Sequence, residues 1–273
     1  MLKQTNCRHE MVPFLKWAGG KRWLVKAHPG LFDLTFNRYI EPFLGSGSVF
    51  FHLQPSCAVL SDRNQLLIET YQVIKEDWLK VKQVLAVHHH NHSKRYYYAL
   101  REKILRQPHT RAAQFIYLNR TCWNGLFRVN LNGKFNVPIG TKDDVLLETD
   151  NFEAVANLLK RSEIICADFE EAVNRANNGD LLFVDPPYTV KHDNNGFIKY
   201  NEKLFSWDDQ IRLSEALIRA KLRGAKVILT NANHRSIRHL YKNYFTVESV
   251  KRHSILSGKS EYRGEVKELL IMG

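Results

Sequence analysis

Short apolar runs alternate with longer helical patterns along this chain, and that alternation constrains the fold more than any other feature. Arg38 to Phe43, Ala58 to Asp62, Glu163 to Asp168, Leu181 to Val184, Ala225 to Thr230, Tyr244 to Lys251 and Val266 to Met272 each read as a strand. They are rich in Val, Ile and Leu and bounded by Gly, Asp or Pro, which fits strands covered on both faces by helices. Helical patterns fall between them, such as Phe169 to Ala176 and Trp207 to Leu222. The pattern predicts an α/β fold built on a doubly wound sheet.

From about Gln65 to Lys142 the strand signal lapses and helical periodicity takes over, ending in the polar, turn-rich segment Asn119 to Gly140. A helical module inserted between the second and third strands accounts for this. It is basic and aromatic, with Lys94, Arg95, Tyr96, Tyr97, Tyr98, Arg101, Arg120, Trp123 and Arg128 among its residues. Its His88-His89-His90-Asn91-His92 patch reads as a solvated helix end, and no metal site is expected.

Asp185-Pro186-Pro187-Tyr188 follows the strand Leu181 to Val184 directly. Ligands of open α/β sheets lie beyond the carboxyl ends of strands, which is where this tetrapeptide falls. An exocyclic amine conjugated with a base ring is a poor nucleophile. Two acceptors, the Asp185 carboxylate and the Pro186 carbonyl, can take its two hydrogens and favour a pyramidal nitrogen. The prolines fix φ and remove backbone donors, and Tyr188 offers a face on which a base can stack. Alternatively, the four residues form a tight turn after a buried strand.

Glu41-Pro42-Phe43-Leu44-Gly45-Ser46-Gly47 joins a strand to the apolar helix start Val49 to Leu53. Glycines here let the backbone approach a ligand closely. Asp62 ends the next strand, near the ~20-residue spacing at which an acid meets ribose hydroxyls in dinucleotide sites. The third glycine of that fingerprint is absent, since position 50 is Phe50. The pattern suits a nucleoside without a pyrophosphate, which describes S-adenosylmethionine. Near the N-terminus, Phe14-Leu15-Lys16-Trp17-Ala18-Gly19-Gly20-Lys21 can close over the methionine half of such a ligand, with Lys21 pairing its carboxylate. A phosphate loop is excluded because Arg22 stands where Ser or Thr is needed.

Lys plus Arg number 40 against 28 Asp plus Glu, a formal net charge of +12, which points to a polyanion such as nucleic acid. Cys7, Cys57, Cys122 and Cys166 include no CxxC pair, which suits reduced thiols in a cytoplasm. No apolar run approaches the ~20 residues of a membrane span, and Met1 to Glu10 is too polar for a secretory signal.

The three motifs, in this order, resemble the bacterial and phage DNA adenine methylase (Dam) family. The resemblance extends to the segment Tyr117 to Asn130, with Phe135-Asn136-Val137-Pro138 after it, and runs from about Phe14 to the C-terminus. It implies a Rossmann-like S-adenosylmethionine-dependent methyltransferase sheet (residues 8–64 plus 146–273) with a helical target-recognition domain (65–145). It implies that Asp185, Pro186, Pro187 and Tyr188 hold a flipped adenine, and that Trp17, Lys21, Asp62 and Asp185 line the cofactor pocket. With Glu41, Phe43, Gly45, Gly47 and Asp168 these form the expected cofactor set, with S-adenosylhomocysteine as product and no metal. Lys16, Trp123, Asn124, Leu126, Arg128 and Pro138 are expected to contact double-stranded DNA, with GATC as the site, and the resemblance implies a monomer. Trp123 stands where the family has tyrosine, Cys122 where it has glycine, and Asn231-Ala232-Asn233-His234 where it often has Asn-His-Asp. The alternative readings are a ribosomal RNA methyltransferase, which shares the tetrapeptide, an N4-cytosine enzyme, which usually has serine at position 185, and a DNA-binding regulator with a decayed site.

Overall fold

The structure is a computed structural model that describes residues 10–128, 134–190, 205–253 and 265–273. The chain divides into two compact units.

The helical unit comprises Met1–Pro29, Ser46–Gln54 and Gln72–Lys160. Its helices are α1 (Arg22–Ala27), α2 (Ser48–Leu53), α3 (Gln65–His90, counted here from Gln72), α4 (Lys94–Glu102), α5 (Pro108–Thr121) and α6 (Phe152–Leu159). Ser93 caps α4 by accepting from the Tyr96 amide, and Pro108 opens α5, where a missing N–H costs nothing. Residues Phe115 to Thr121 of α5 are buried on every side. The Arg120 guanidinium is the centre of this unit: both its terminal nitrogens reach Asp150 over 2.6 Å, and it also donates to the carbonyls of Phe14 and Val145. A buried arginine is tolerable only with such complete pairing. The His88–His92 patch ends α3 with His89, His90 and Asn91 exposed, as expected, but His88 and His92 differ. His88 is buried and shares a hydrogen bond with the Tyr96 hydroxyl (2.7 Å), while His92 shares one with the Tyr117 hydroxyl (2.8 Å). The hydroxyls of Tyr96 and Tyr117 thus draw the two histidines inward.

The sheet unit comprises Gly30–Gly45, Pro55–Tyr71 and Arg161–Gly273. Its strands are β1 (Tyr39–Glu41), β2 (Ala58–Asp62), β3 (Ser162–Cys166), β4 (Leu181–Val184), β5 (Lys226–Ala232), β6 (Thr246–His253) and β7 (Glu265–Met272). They form one seven-stranded sheet in the order β3-β2-β1-β4-β5-β7-β6. The first five strands pair in parallel, and β7 is antiparallel to both β5 and β6. Every strand expected from the apolar runs is present, with ends shifted by one or two residues, the usual slack at element ends. Central β1 and β4 are buried at every position, whereas edge strand β3 alternates and turns Glu163 outward.

Helices α7 (Phe169–Asn174), α8 (Trp207–Leu222) and α9 (Arg235–Tyr241) cover this sheet. Ser206 and Asp209 form a reciprocal capping box that starts α8. One apolar cluster joins Ile40, Val59, Leu182, Val184, Leu229 and Ile271 of the strands to Phe169, Leu213, Leu217 and Ile237 of the helices. That core fixes the carboxyl ends of β1, β2 and β4 relative to one another.

Candidate active site

Chain order reverses between β1 and β4, and the carboxyl ends of these neighbours form the crevice in which open α/β sheets hold ligands. Glu41 ends β1, Asp62 ends β2 and Asp185 follows β4. The turn after β1 is bound back onto β2: the Gly45 amide donates to Asp62 Oδ2 (3.1 Å) and the Leu44 amide to the Ser61 carbonyl (2.9 Å). Asp62 Oδ1 accepts from the Asn64 amide, and the Tyr71 hydroxyl donates to the Gly45 carbonyl. Gly45 has φ +48° and Gly47 φ +64°, left-handed values that a side chain would strain.

Glu41 is buried, and its Oε2 accepts from the Tyr39 hydroxyl over 2.9 Å. Burial pushes its carboxyl well above the usual carboxylate range, and the charges of Asp185 and Asp62 push it further. Burial also raises Asp62, against the backbone donors that hold it down. Three carboxyl groups thus share one end of the sheet, and a cationic ligand would favour their ionised forms.

The tetrapeptide after β4 is held by side chains from three other elements. The Thr230 hydroxyl, from β5, donates to Asp185 Oδ1 over 2.7 Å. The Gln210 amide, from α8, reaches the carbonyls of Pro187 (3.5 Å) and Thr189 (3.3 Å), and Asn231 braces Gln210 in turn. The Tyr188 hydroxyl donates to Glu268 Oε2 of β7 over 2.7 Å, and the second Glu268 oxygen pairs with Arg252 of β6. Burial pushes the Tyr188 phenol well above its ordinary value, helped by the Asp185 and Glu268 charges. Thr230, Gln210 and Glu268 were not among the residues expected from sequence. Thr230 carried a signal, a polar residue that ends the apolar run Val227-Ile228-Leu229 and so requires a partner where it is buried; Gln210 and Glu268 stand among charged residues and carried none.

Phe43 stacks on Phe169 with ring centroids 5.6 Å apart. Asp168 stands at the carboxyl side of β3, where it caps α7 through the Glu170 amide and takes two 3.0 Å bonds from Arg212. Arg212 lies over the Phe169 ring, so Asp168 joins a layered stack with Phe43.

Within the helical unit, Asn119 pairs both backbone groups of Lys16: it accepts from the Lys16 amide and donates to the Lys16 carbonyl, each over 2.8 Å. Trp17 stacks on Phe127, with centroids 5.6 Å apart and planes 15° from parallel. Lys21 is buried and donates to the Gly19 carbonyl. The segment after α5 doubles back on itself. Trp123 N donates to the Pro138 carbonyl, Gly140 N to Thr121 and Asn136 N to Arg128. Trp123, Asn124, Arg128 and Pro138 are exposed on this loop, Leu126 is half-buried, and Arg128 Nε donates to Asn136 Oδ1. Val129 and Asn130 lie outside the described residues. Asn124 and Gly125 both have left-handed φ, and a Cβ on Gly125 would stand 2.8 Å from the Lys16 side chain. Lys16 is therefore packed beneath the turn, where it donates to the Arg120 carbonyl; burial, then the Lys142 and Arg120 charges, lower its pKa. Cys122 is buried beside it, and burial pushes its thiol up to about 11. Among the described residues, no group of His, Cys, Asp and Glu could hold a metal and no helix is long and apolar enough to cross a membrane.

The chain is similar to known proteins over nearly its whole length. It is 34% identical over 268 residues to a type II methyltransferase of Lactococcus lactis subsp. cremoris, covering 95% of this chain and 94% of that one. A type II methyltransferase of Methanocaldococcus jannaschii is 34% identical over 287 residues, covering 96% and 99%. A DNA adenine methylase of Serratia marcescens is 30% identical over 267 residues, covering 95% and 97%. The family model described as D12 class N6 adenine-specific DNA methyltransferase matches residues 17–255. With that match spanning the glycine turn, the inserted loop and the tetrapeptide alike, the chain belongs to the D12 class of N6 adenine-specific DNA methyltransferases.

Proposed function

We propose that this protein transfers the methyl group of S-adenosylmethionine to N6 of an adenine flipped out of duplex DNA, with GATC as its site. The observation that carries this reading is the anchored Asp185–Tyr188 tetrapeptide at the carboxyl end of β4, beside Glu41 and Asp62. The residues fit such a donor. Three neighbouring carboxylates suit a ligand bearing sulfonium and ammonium charges, and Asp62 suits ribose hydroxyls. Within the sheet unit, Glu41, Phe43, Gly45 and Asp62, bordered by Asp168, are the residues that would hold it; Trp17, Lys21 and Gly47 are the further cofactor residues that the family resemblance implies. When bound, the donor supplies an electrophilic methyl group.

Asp185 accepts one N6 hydrogen and the Pro186 carbonyl the other, which turns the nitrogen lone pair towards the methyl group. Pro186 and Pro187 keep that carbonyl fixed. Tyr188 stacks on the base, worth roughly 1–3 kcal/mol, against a flipping cost of a few kcal/mol. Catalysis is chiefly positioning. The helical segment 65–145 carries target recognition. Arg128, steadied by Asn136, reads a guanine edge; Trp123, Asn124, Leu126 and Pro138 contact the duplex and Lys16 supports them. The test incubates the protein with methyl-labelled S-adenosylmethionine and duplexes that contain or lack GATC. Label recovered as N6-methyladenine from GATC duplexes alone supports the reading; label in cytosine, in RNA only, or in no acceptor contradicts it.

A further inference from the structure

We infer that Glu268 is a positioning residue of the methyl-transfer site, acting through the Tyr188 hydroxyl. The inference rests on the reading that Tyr188 receives the flipped base. A ring that served only as a stacking plane would need no hydroxyl, and phenylalanine would suffice. Here the hydroxyl donates over 2.7 Å to a glutamate that is 2% exposed and stands directly before the apolar end of β7, Leu269-Leu270-Ile271. Burying a carboxylate there is costly unless it is paired and hydrogen-bonded, whereas an aliphatic residue would pack at no such cost.

The geometry shows what the carboxylate does. Glu268 stands opposite Ala232 of β5 and Val250 of β6, so ladders on both sides fix its backbone. Arg252, two residues along β6, pairs with Oε1 and leaves Oε2 aimed at Tyr188. Tyr188 follows Pro187, whose ring fixes φ just before it. The aromatic plane is thereby pinned at its backbone end by the proline and at its far end by Glu268. Thr230 interacts with Asp185 and with Tyr188. The N6 acceptor and the stacking plane thus share Thr230 of β5, and Glu268 of β7 holds the plane through the Tyr188 hydroxyl. Aligning the base with its acceptors matters because displacements of about 1 Å can cost roughly 100-fold in rate.

The test compares Tyr188→Phe, Glu268→Met, Glu268→Gln and the double variant Tyr188→Phe/Glu268→Met in the full chain. It measures kcat, KM for DNA, melting temperature, and the emission of a duplex with 2-aminopurine in place of the target adenine. Tyr188→Phe and Glu268→Met are each expected to lower kcat roughly 10- to 100-fold. The double variant should be no slower than the slower single one. Glu268→Gln keeps an acceptor for the hydroxyl, so it should restore most of kcat even where loss of the Arg252 pair lowers the melting temperature. Emission should rise above wild type in the two slow variants, because the extruded base is no longer held against the ring. Wild-type kcat and emission in Tyr188→Phe, additive losses in the double variant, or a Glu268→Gln as slow as Glu268→Met would overturn the inference. If the wild-type protein methylates no adenine in duplex DNA, the underlying reading fails instead, before any variant is compared.

Discussion

The Thr230 hydroxyl, buried within β5, donates to Asp185 Oδ1 over 2.7 Å and so orients the carboxylate that would accept an N6 hydrogen. A hydrogen bond to a charged group is worth about 1.5–3 kcal/mol. Thr230→Val keeps shape and removes the donor. It should lower kcat about tenfold or more with little change in KM, and Thr230→Ser should restore the rate. Steady-state kinetics on the two variants checks this; equal rates in wild type and Thr230→Val would remove Thr230 from the site's support.

Glu41 links the site to pH. Burial, and then the charges of Asp185 and Asp62, raise its carboxyl above the ordinary 4.5. The folded protein therefore holds a proton that the unfolded chain releases, so this group's stabilising contribution is present below pH 4.5 and is lost as pH rises through the folded pKa. A positive charge brought to these carboxylates favours their ionised forms. Binding of S-adenosylmethionine should accordingly release protons and tighten as pH rises above 4.5. Binding of the uncharged thioether S-adenosylhomocysteine should depend on pH less. Calorimetry in buffers of different ionisation enthalpy measures the proton count, and no difference between the two ligands would refute this role for the carboxylate group.

Asp150 neutralises the fully buried Arg120. Removing one partner of a buried pair typically costs roughly 3–5 kcal/mol. Asp150→Ala should destabilise the helical unit by about that amount, seen as a lower urea midpoint. A change under about 0.5 kcal/mol, the size usual for surface substitutions, would show that the guanidinium is not dependent on its carboxylate.

His88 supplies the opposite pH sign. Burial, and then the Lys103 charge, pull it from 6.5 down to about 4. The unfolded chain binds this proton more tightly, so stability should fall as pH drops from 6.5 towards about 4. His88→Gln, which cannot titrate, should flatten that part of the stability curve. An unchanged slope in chemical denaturation across this window would assign it to other groups.

The sheet was legible because its strands carry short apolar runs, uninterrupted in β4 (Leu181–Val184), which lies between neighbours and is buried at every position. The tetrapeptide and glycine turn were legible because their chemistry is local: Asp185 follows β4, and Gly45 and Gly47 occupy left-handed backbone. Their supports were not. Thr230 and Glu268 lie 45 and 80 residues from the side chains they hold, and only the order β4-β5-β7 brings them close. The histidine patch is a helix end whose His89, His90 and Asn91 are exposed, but the hydroxyls of Tyr96 and Tyr117 turn His88 and His92 inward, contacts that the sequence does not show.

Asp185 is the residue on which methyl transfer to adenine in DNA is proposed to depend. The most direct measurement expresses wild-type protein and Asp185→Ala in cells that lack adenine methylation and maps N6-methyladenine by single-molecule sequencing. N6-methyladenine is expected at GATC with wild type and nowhere with Asp185→Ala, while the purified variant still binds duplex DNA. Wild-type levels of methylation from Asp185→Ala, or unmodified adenine with the wild-type protein, would contradict the proposal.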